Sequence, residues 1–161
     1  MSIKGELGLG RLYKLLFGIK LNEATFARRG FHPGEAGAQQ RLEQIGRTFL
    51  QGYHAALEAD NPKTLANRLD MIELELRGFA FEGAATALAL LDQIIPWRKN
   101  RLRTFLDGPG APHIYMVYVG AGWMLARLHR QAESVLTRFD PLLRWLALDG
   151  YGFHQGYFHW P

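Results

Sequence analysis

At 161 residues, 48% hydrophobic and 12% aromatic, the chain has the length of one domain and enough apolar content for a packed core, which excludes a disordered protein. It has no cysteine, so disulfides, thiolate zinc sites, iron–sulfur clusters and thiol nucleophiles are excluded, and a reducing cytoplasm is compatible. The net charge of +4 is moderate, and no recognition-helix pattern, strand-borne aromatic motif or zinc spacing points to nucleic acid.

The first twenty residues carry a short apolar run, Leu12 to Ile19, interrupted by Lys14. They lack the apolar region and small-residue cleavage site of a signal peptide. Leu9 to Ile19 reads as a short amphipathic helix ended near Gly18, and Asn22 as the cap of a second over Glu23 to Arg28. That helix stops at Arg29-Gly30-Phe31, and His32-Pro33-Gly34 is loop. A long helix over Ala38 to Glu58 follows from Leu42, Ile45, Phe49, Tyr53 and Ala56-Leu57, with Gly46 and Gly52 inside it. Asn61-Pro62 supplies a cap and a first-turn proline for a helix with Leu65, Leu69, Ile72 and Leu76 on one face, stopping at Gly78.

The central element is a Gly/Ala-rich helix over 80–95, closed by Pro96. Phe81, Ala84, Leu88, Leu91 and Ile95 form one apolar stripe, and Ala80, Gly83, Ala87, Leu90 and Ile94 the adjacent one. Glu82, Thr86, Ala89 and Gln93 share the remaining narrow face. The commoner reading of such a face is solvent. The other is that a helix this thin lets a backbone or ligand come close to Glu82.

Arg98, Lys99, Arg101 and Arg103 form a basic run on a short helix (Lys99 to Leu106) before the Asp107-Gly108-Pro109-Gly110 turn. Such a run can meet phosphates, an acidic carrier protein or an anionic membrane, though more often it is a solvated face. Ile114 to Val119 has strand-like composition, but one helix over His113 to His129 is simpler than a strand joined to a helix without a turn. Its uncharged stretch, Ile114 to Ala126, is too short to span a bilayer, and the chain reads as soluble and cytoplasmic. Asp140-Pro141 opens a helix through Leu148, stopped by Asp149-Gly150, and Tyr151 to Trp160 is a tail rich in glycine, aromatics and histidine. The fold expectation is all-α, a single-layered core of about seven packed helices in one domain spanning residues 1–161.

Phe49-Leu50-Gln51-Gly52-Tyr53 and Phe153-His154-Gln155-Gly156-Tyr157 share Phe-x-Gln-Gly-Tyr, and Phe81-Glu82-Gly83 is a looser copy. In a chain with 18 glycines such matches arise easily by chance. The functional reading is that glycine lets these helices converge, with Gln51, Glu82 and Gln155 facing a common space.

Four stretches carry a resemblance: Ala24-Thr25-Phe26-Ala27-Arg28-Arg29-Gly30-Phe31, residues 77–85 from Arg77 to Ala85, residues 115–123 from Tyr115 to Trp123, and residues 140–154 from Asp140 to His154. In this order, over nearly the whole chain, they resemble the bacterial domain-of-unknown-function family of enediyne biosynthesis accessory proteins encoded beside enediyne polyketide synthases. The resemblance implies a role in maturing a polyene into an enediyne core, with the polyketide synthase or the polyene intermediate as partner. It implies no reaction, no cofactor and no catalytic residue. Family members are about twice as long, so the resemblance is to an N-terminal half, whose exposed apolar surface a C-terminal half or a second copy (a homo-oligomer) is expected to cover. The uncharged end Tyr157-Phe158-His159-Trp160-Pro161 is expected to be docked for the same reason.

On their own chemistry, the residues offer no metal site: His154 and His159 are five apart and share no helix face, and His54 and Glu58 read as an exposed pair. Gly5-Glu6-Leu7-Gly8-Leu9-Gly10 follows no strand, and only two serines are present, neither in a nucleophile motif. Glu82 and His154 are the acid–base candidates, with Asp149 competing as a helix-end residue. Candidate ligand-binding residues are Phe49, Tyr53, Trp123, Asp149, Tyr151 and Phe153, with Arg29 or Arg77 within pairing reach of Glu82. An arginine partner would keep Glu82 ionised; without one, an apolar setting would keep it neutral and able to donate a proton.

Overall fold

The computed structural model describes residues 3–95, 97, 100–128 and 139–159, with side chains from residue 8 onward. Among these residues there are eight α-helices and no strand: α1 (Ile3–Phe17), α2 (Phe26–Arg29), α3 (Ala36–Glu58), α4 (Pro62–Asp70), α5 (Leu74–Ile94), α6 (Arg101–Leu106), α7 (Ile114–Arg127) and α8 (Arg144–His159). The fold is all-α. Single 3-10 turns at Leu21–Ala24 and Ala111–His113 precede α2 and α7.

Four helices form a row in the order α3, α5, α7, α8, with α1 lying on α3 and with α4 and α6 closing one end of α5. The row is held at very short range because glycines face backbone at each crossing. A Cβ built on Gly52 would lie 1.9 Å from the Ala80 carbonyl oxygen, and one on Gly83 would lie 1.9 Å from that of Phe49. Gly120 stands against the Glu82 carbonyl in the same way, and Gly122 and Gly150 face the Ala147 and Val119 carbonyls across α7 and α8. The Thr86 hydroxyl lies 2.8 Å from the Gly120 carbonyl oxygen and 3.0 Å from that of Glu82, and so fastens the α5–α7 crossing. The cost of each helical glycine, roughly 1 kcal/mol relative to alanine, is offset by the packing that these approaches permit.

Sandwiched between α3 and α7, α5 is buried on every side from Ala80 to Leu91. The solvent-facing reading of its polar stripe is therefore overturned for Glu82, Thr86 and Ala89; only Gln93 of the four is exposed. The main core gathers Tyr53, Leu57, Leu65, Leu69, Phe81, Phe105 and Leu125 around this helix.

Several boundaries differ from the sequence reading, each for a local reason. The helix after Asn61 breaks at 71–73 rather than at Gly78, and α5 starts at Leu74. The Arg77 guanidinium seals that break, donating to the carbonyl oxygens of Asp70 (2.8 Å) and Ile72 (3.1 and 3.2 Å), groups that a helix end leaves without partners. Gly78 lies inside α5. Asp140 does cap, accepting from the N–H groups of Leu142 and Leu143, but α8 begins at Arg144 and runs through Asp149-Gly150 to His159. Gly150 is a packing glycine against Val119 rather than a stop, so the presumed tail is helix.

At the other end of the chain, Thr25 rather than Asn22 caps α2, its hydroxyl accepting from the Arg28 N–H. Gly30 ends that helix at φ 71°, the left-handed conformation that glycine adopts freely. His54 is not part of an exposed pair. Its Nε2 accepts from the Ile19 N–H at 3.2 Å, while Glu58 pairs with Lys14 at 2.9 Å. Of the basic run, Arg98 and Lys99 lie outside the described residues, as do Pro96, Trp160 and Pro161; Arg101 pairs with Asp92 and Arg103 with Asp107. Among the described residues no helix is long and apolar enough to cross a membrane.

The crossings yield a direct test by unfolding in urea. Gly52→Ala or Gly83→Ala must push backbone apart and should destabilise by about 3 kcal/mol or abolish folding. Gly152→Ala, on α8 with nothing within 4 Å of its added Cβ, should stabilise by about 0.5–1 kcal/mol.

Candidate functional site

Since α3 packs on α5 and α8 on α7, the faces of α3 and α8 that turn toward each other flank a trough floored by α5 and α7. The segment from Ile19 to Phe31 spans it: the Phe26 N–H donates to Glu43 Oε1 on α3, and the Tyr157 hydroxyl on α8 donates to the Glu23 carbonyl oxygen. The result is an apolar cavity of about 680 Å³, within the range of small-molecule pockets. Phe49 and Leu50 of α3, Phe79 and Glu82 of α5, Met116, Val119 and Trp123 of α7, and Phe153 and Phe158 of α8 all line it. Trp123 is the centre of its aromatic wall, with ring centroids 4.7 Å from Phe49, 5.5 Å from Phe153 and 5.8 Å from Phe158.

Glu82 reaches this cavity from the buried stretch of α5 and is itself 7% exposed. Burial pushes its carboxyl up to about 8; the Trp123 indole N–H offsets this in part, and the negative charge of Asp149 adds to it. Among the described residues the Trp123 nitrogen is buried without a hydrogen bond of normal geometry, so its help to a carboxylate is weak. No cation pairs with Glu82 among the described residues. At neutral pH it is a protonated acid facing an apolar space.

Neither candidate arginine is its partner. Arg29 pairs with Glu23 and lies over the Phe158 ring at 4.8 Å, and Arg77 is committed to the end of α4. Glu23 also lines the cavity, with the opposite outcome: burial raises its carboxyl, but Arg28 and Arg29 together outweigh this and hold it below the ordinary value. Two carboxyls at one cavity are thus kept in different charge states by their neighbours.

Of the other predicted residues, Phe49, Trp123, Asp149 and Phe153 line the cavity, Asp149 and Phe153 from its exposed side. Tyr53 does not: its hydroxyl donates to the Phe17 carbonyl oxygen and accepts from Arg127, on the side facing α1. Tyr151 packs against the main core, and His154 is buried behind Trp123, its ring centroid 5.3 Å away, without lining the cavity. The convergence of the glycine motifs holds for Gly52 and Gly83, but Gln51 is exposed and neither Gln51 nor Gln155 lines the cavity. The sequence reading missed Ala24, Phe26, Phe31, Met116 and Val119 as lining residues. Apolar cavity walls carry the same periodicity as core, so these side chains gave no signal of their own. No group of three His, Asp or Glu side chains among the described residues could hold a metal ion.

Fold and cavity together define an all-α protein built around an apolar pocket with one buried neutral acid. The chain belongs to the family described as a protein of unknown function, DUF1702, whose match covers residues 8–161. No curated protein and no solved structure matches it.

The state of Glu82 has a consequence for stability. Its folded-state value lies above the ordinary carboxyl value of 4.5, so its contribution is fully present below that pH and is lost as pH rises through about 8. Glu82→Gln removes the ionisation. Melting curves should show the variant gaining on the wild type from pH 5 to pH 8, by on the order of 3 kcal/mol. Parallel pH profiles would show that Glu82 is not buried as described.

Proposed function

We propose that the protein is an accessory binding protein of enediyne polyketide biosynthesis that holds a slim, apolar polyene in the cavity between α3 and α8, in the cytoplasm beside the synthase. The resemblance of the 24–31, 77–85, 115–123 and 140–154 stretches motivates the pathway. The observation that carries the binding role is the cavity itself: about 680 Å³, walled by aromatic and aliphatic side chains around Trp123. Aromatic faces pack against a conjugated chain without polar demands.

A second reading, an enzyme acting on the polyene by acid chemistry, is favoured by one feature, the protonated Glu82. It would act as general acid alone, since His154 does not line the cavity. A docking role on the synthase, a C-terminal half or a second copy draws on the exposed apolar side chains of α1, where Leu15 is 82% and Leu16 62% exposed.

Titration with a linear conjugated tetraene should give one-to-one binding, with a shift of polyene absorbance and quenching of Trp123 fluorescence. Ile45→Trp, which fills the cavity from α3, should weaken binding at least about tenfold, or roughly 1.4 kcal/mol. Chromatography of the recovered tetraene separates the readings: unchanged polyene supports binding, and a new product lost in Glu82→Gln supports catalysis. No binding by the wild type would defeat both.

A further inference from the structure

We infer that the cavity selects a ligand whose inner end is a neutral hydrogen-bond acceptor, such as the carbonyl of a ketone or thioester, which the Glu82 carboxyl and the Trp123 indole N–H bind together at the cavity floor. The inference rests on the binding role proposed above and specifies its ligand class.

Two independent observations meet at this point. Glu82 and Trp123 both line the cavity, and both are 93% withdrawn from solvent, each being 7% exposed. The Trp123 Nε1 makes no hydrogen bond of normal geometry among the described residues and interacts only weakly with the Glu82 carboxyl beside it, and a buried donor in that state gains from a better-placed acceptor. Glu82 supplies a second donor only while it is protonated, which is the state its burial enforces at neutral pH. A carbonyl oxygen has two lone pairs and can accept from both.

The charged groups around the floor argue against an anionic head. Asp149 of α8 raises Glu82 by its negative charge, and Glu23 at the opposite wall is held ionised. Arg28 and Arg29, the cations of this wall, both pair with Glu23, and Arg29 lies over the Tyr157 and Phe158 rings with its Nε buried and without a hydrogen bond among the described residues. His154 and Tyr157 of α8 pack near Trp123, and Glu43 of α3, bonded to the Phe26 N–H, acts on Tyr157 with its negative charge. At the floor a carboxylate head would therefore meet the negative charge of Asp149 with no cation among the described residues acting on Glu82, while a hydrocarbon end would offer the indole donor no acceptor.

The test uses three linear tetraenes of equal length, ending in a methyl ketone, a carboxylate or a hydrocarbon, titrated into the full chain at pH 7. The ketone should bind about tenfold more tightly than the hydrocarbon, as expected for two modest hydrogen bonds, and more tightly still than the carboxylate. Its affinity should fall as pH rises through about 8, where Glu82 ionises. Glu82→Gln retains an N–H donor and should keep the ketone preference while losing that pH dependence. Trp123→Phe should reduce the preference without abolishing hydrocarbon binding. Equal affinities for ketone and hydrocarbon, or a preference for the carboxylate, would overturn the inference while leaving apolar binding intact. If none of the three binds, the inference and the binding role fall together. The ligand series on the wild-type chain decides the matter even if a variant does not fold.

Discussion

The backbone-to-backbone approach of α5 to its two neighbours is the constraint on which the remaining structure depends. At Gly52 and Gly83 no side chain separates α3 from α5, and at Gly120 none separates α5 from α7. Two helices pressed this closely to a third fix its rotation about its own axis, because turning α5 would bring Phe81 or Leu88 into a crossing that admits only glycine. Glu82 lies one residue before Gly83, with its carbonyl against Gly120. Its side chain has no rotation of the helix available that would return it to water. The geometry that makes the core tight is therefore also what strands a carboxyl inside it.

That coupling explains which parts of the molecule were legible beforehand. The stripes of α3 and α4 and the Asn61-Pro62 start announce helices, because spacing and capping are local properties of sequence. Glycine is ambiguous. Gly30 ends a helix with a positive φ, whereas Gly78 and Gly150, equally plausible as stops, sit within helices. Nothing local distinguishes these uses; the difference lies in whether another helix arrives at that point. Burial of all faces of α5 was half visible in its two apolar stripes, but the third face becomes interior only when α7 is in place.

The cavity was harder to read for a related reason. Ile45 and Phe49 have helical spacing whether they touch a neighbouring side chain or border a space. Long-range charge pairing was equally opaque: Arg29 and Arg77 were natural partners for an isolated glutamate, yet each finds acceptors within seven residues, in Glu23 and in the Asp70 and Ile72 carbonyls. A guanidinium that finds an acceptor locally has little to gain from ordering itself across a cavity, since the entropy of fixing a long side chain opposes it.

Local satisfaction of the arginines in turn determines the chemistry left over. Glu23 takes the nearby positive charge and stays ionised, while Glu82 retains only the weak influence of an indole N–H against burial and Asp149. A leucine at position 82 would complete the apolar lining and avoid the cost of protonating a carboxyl at neutral pH, on the order of 3 kcal/mol by the linkage between a raised carboxyl value and folding. The fold's stability thus supplies no reason for an acid at this position. The donor of Trp123, buried beside it without a hydrogen bond of normal geometry among the described residues, is likewise a cost that phenylalanine would avoid. Two such costs stand side by side at one point of an otherwise apolar wall, where each group offers the other only a weak partner.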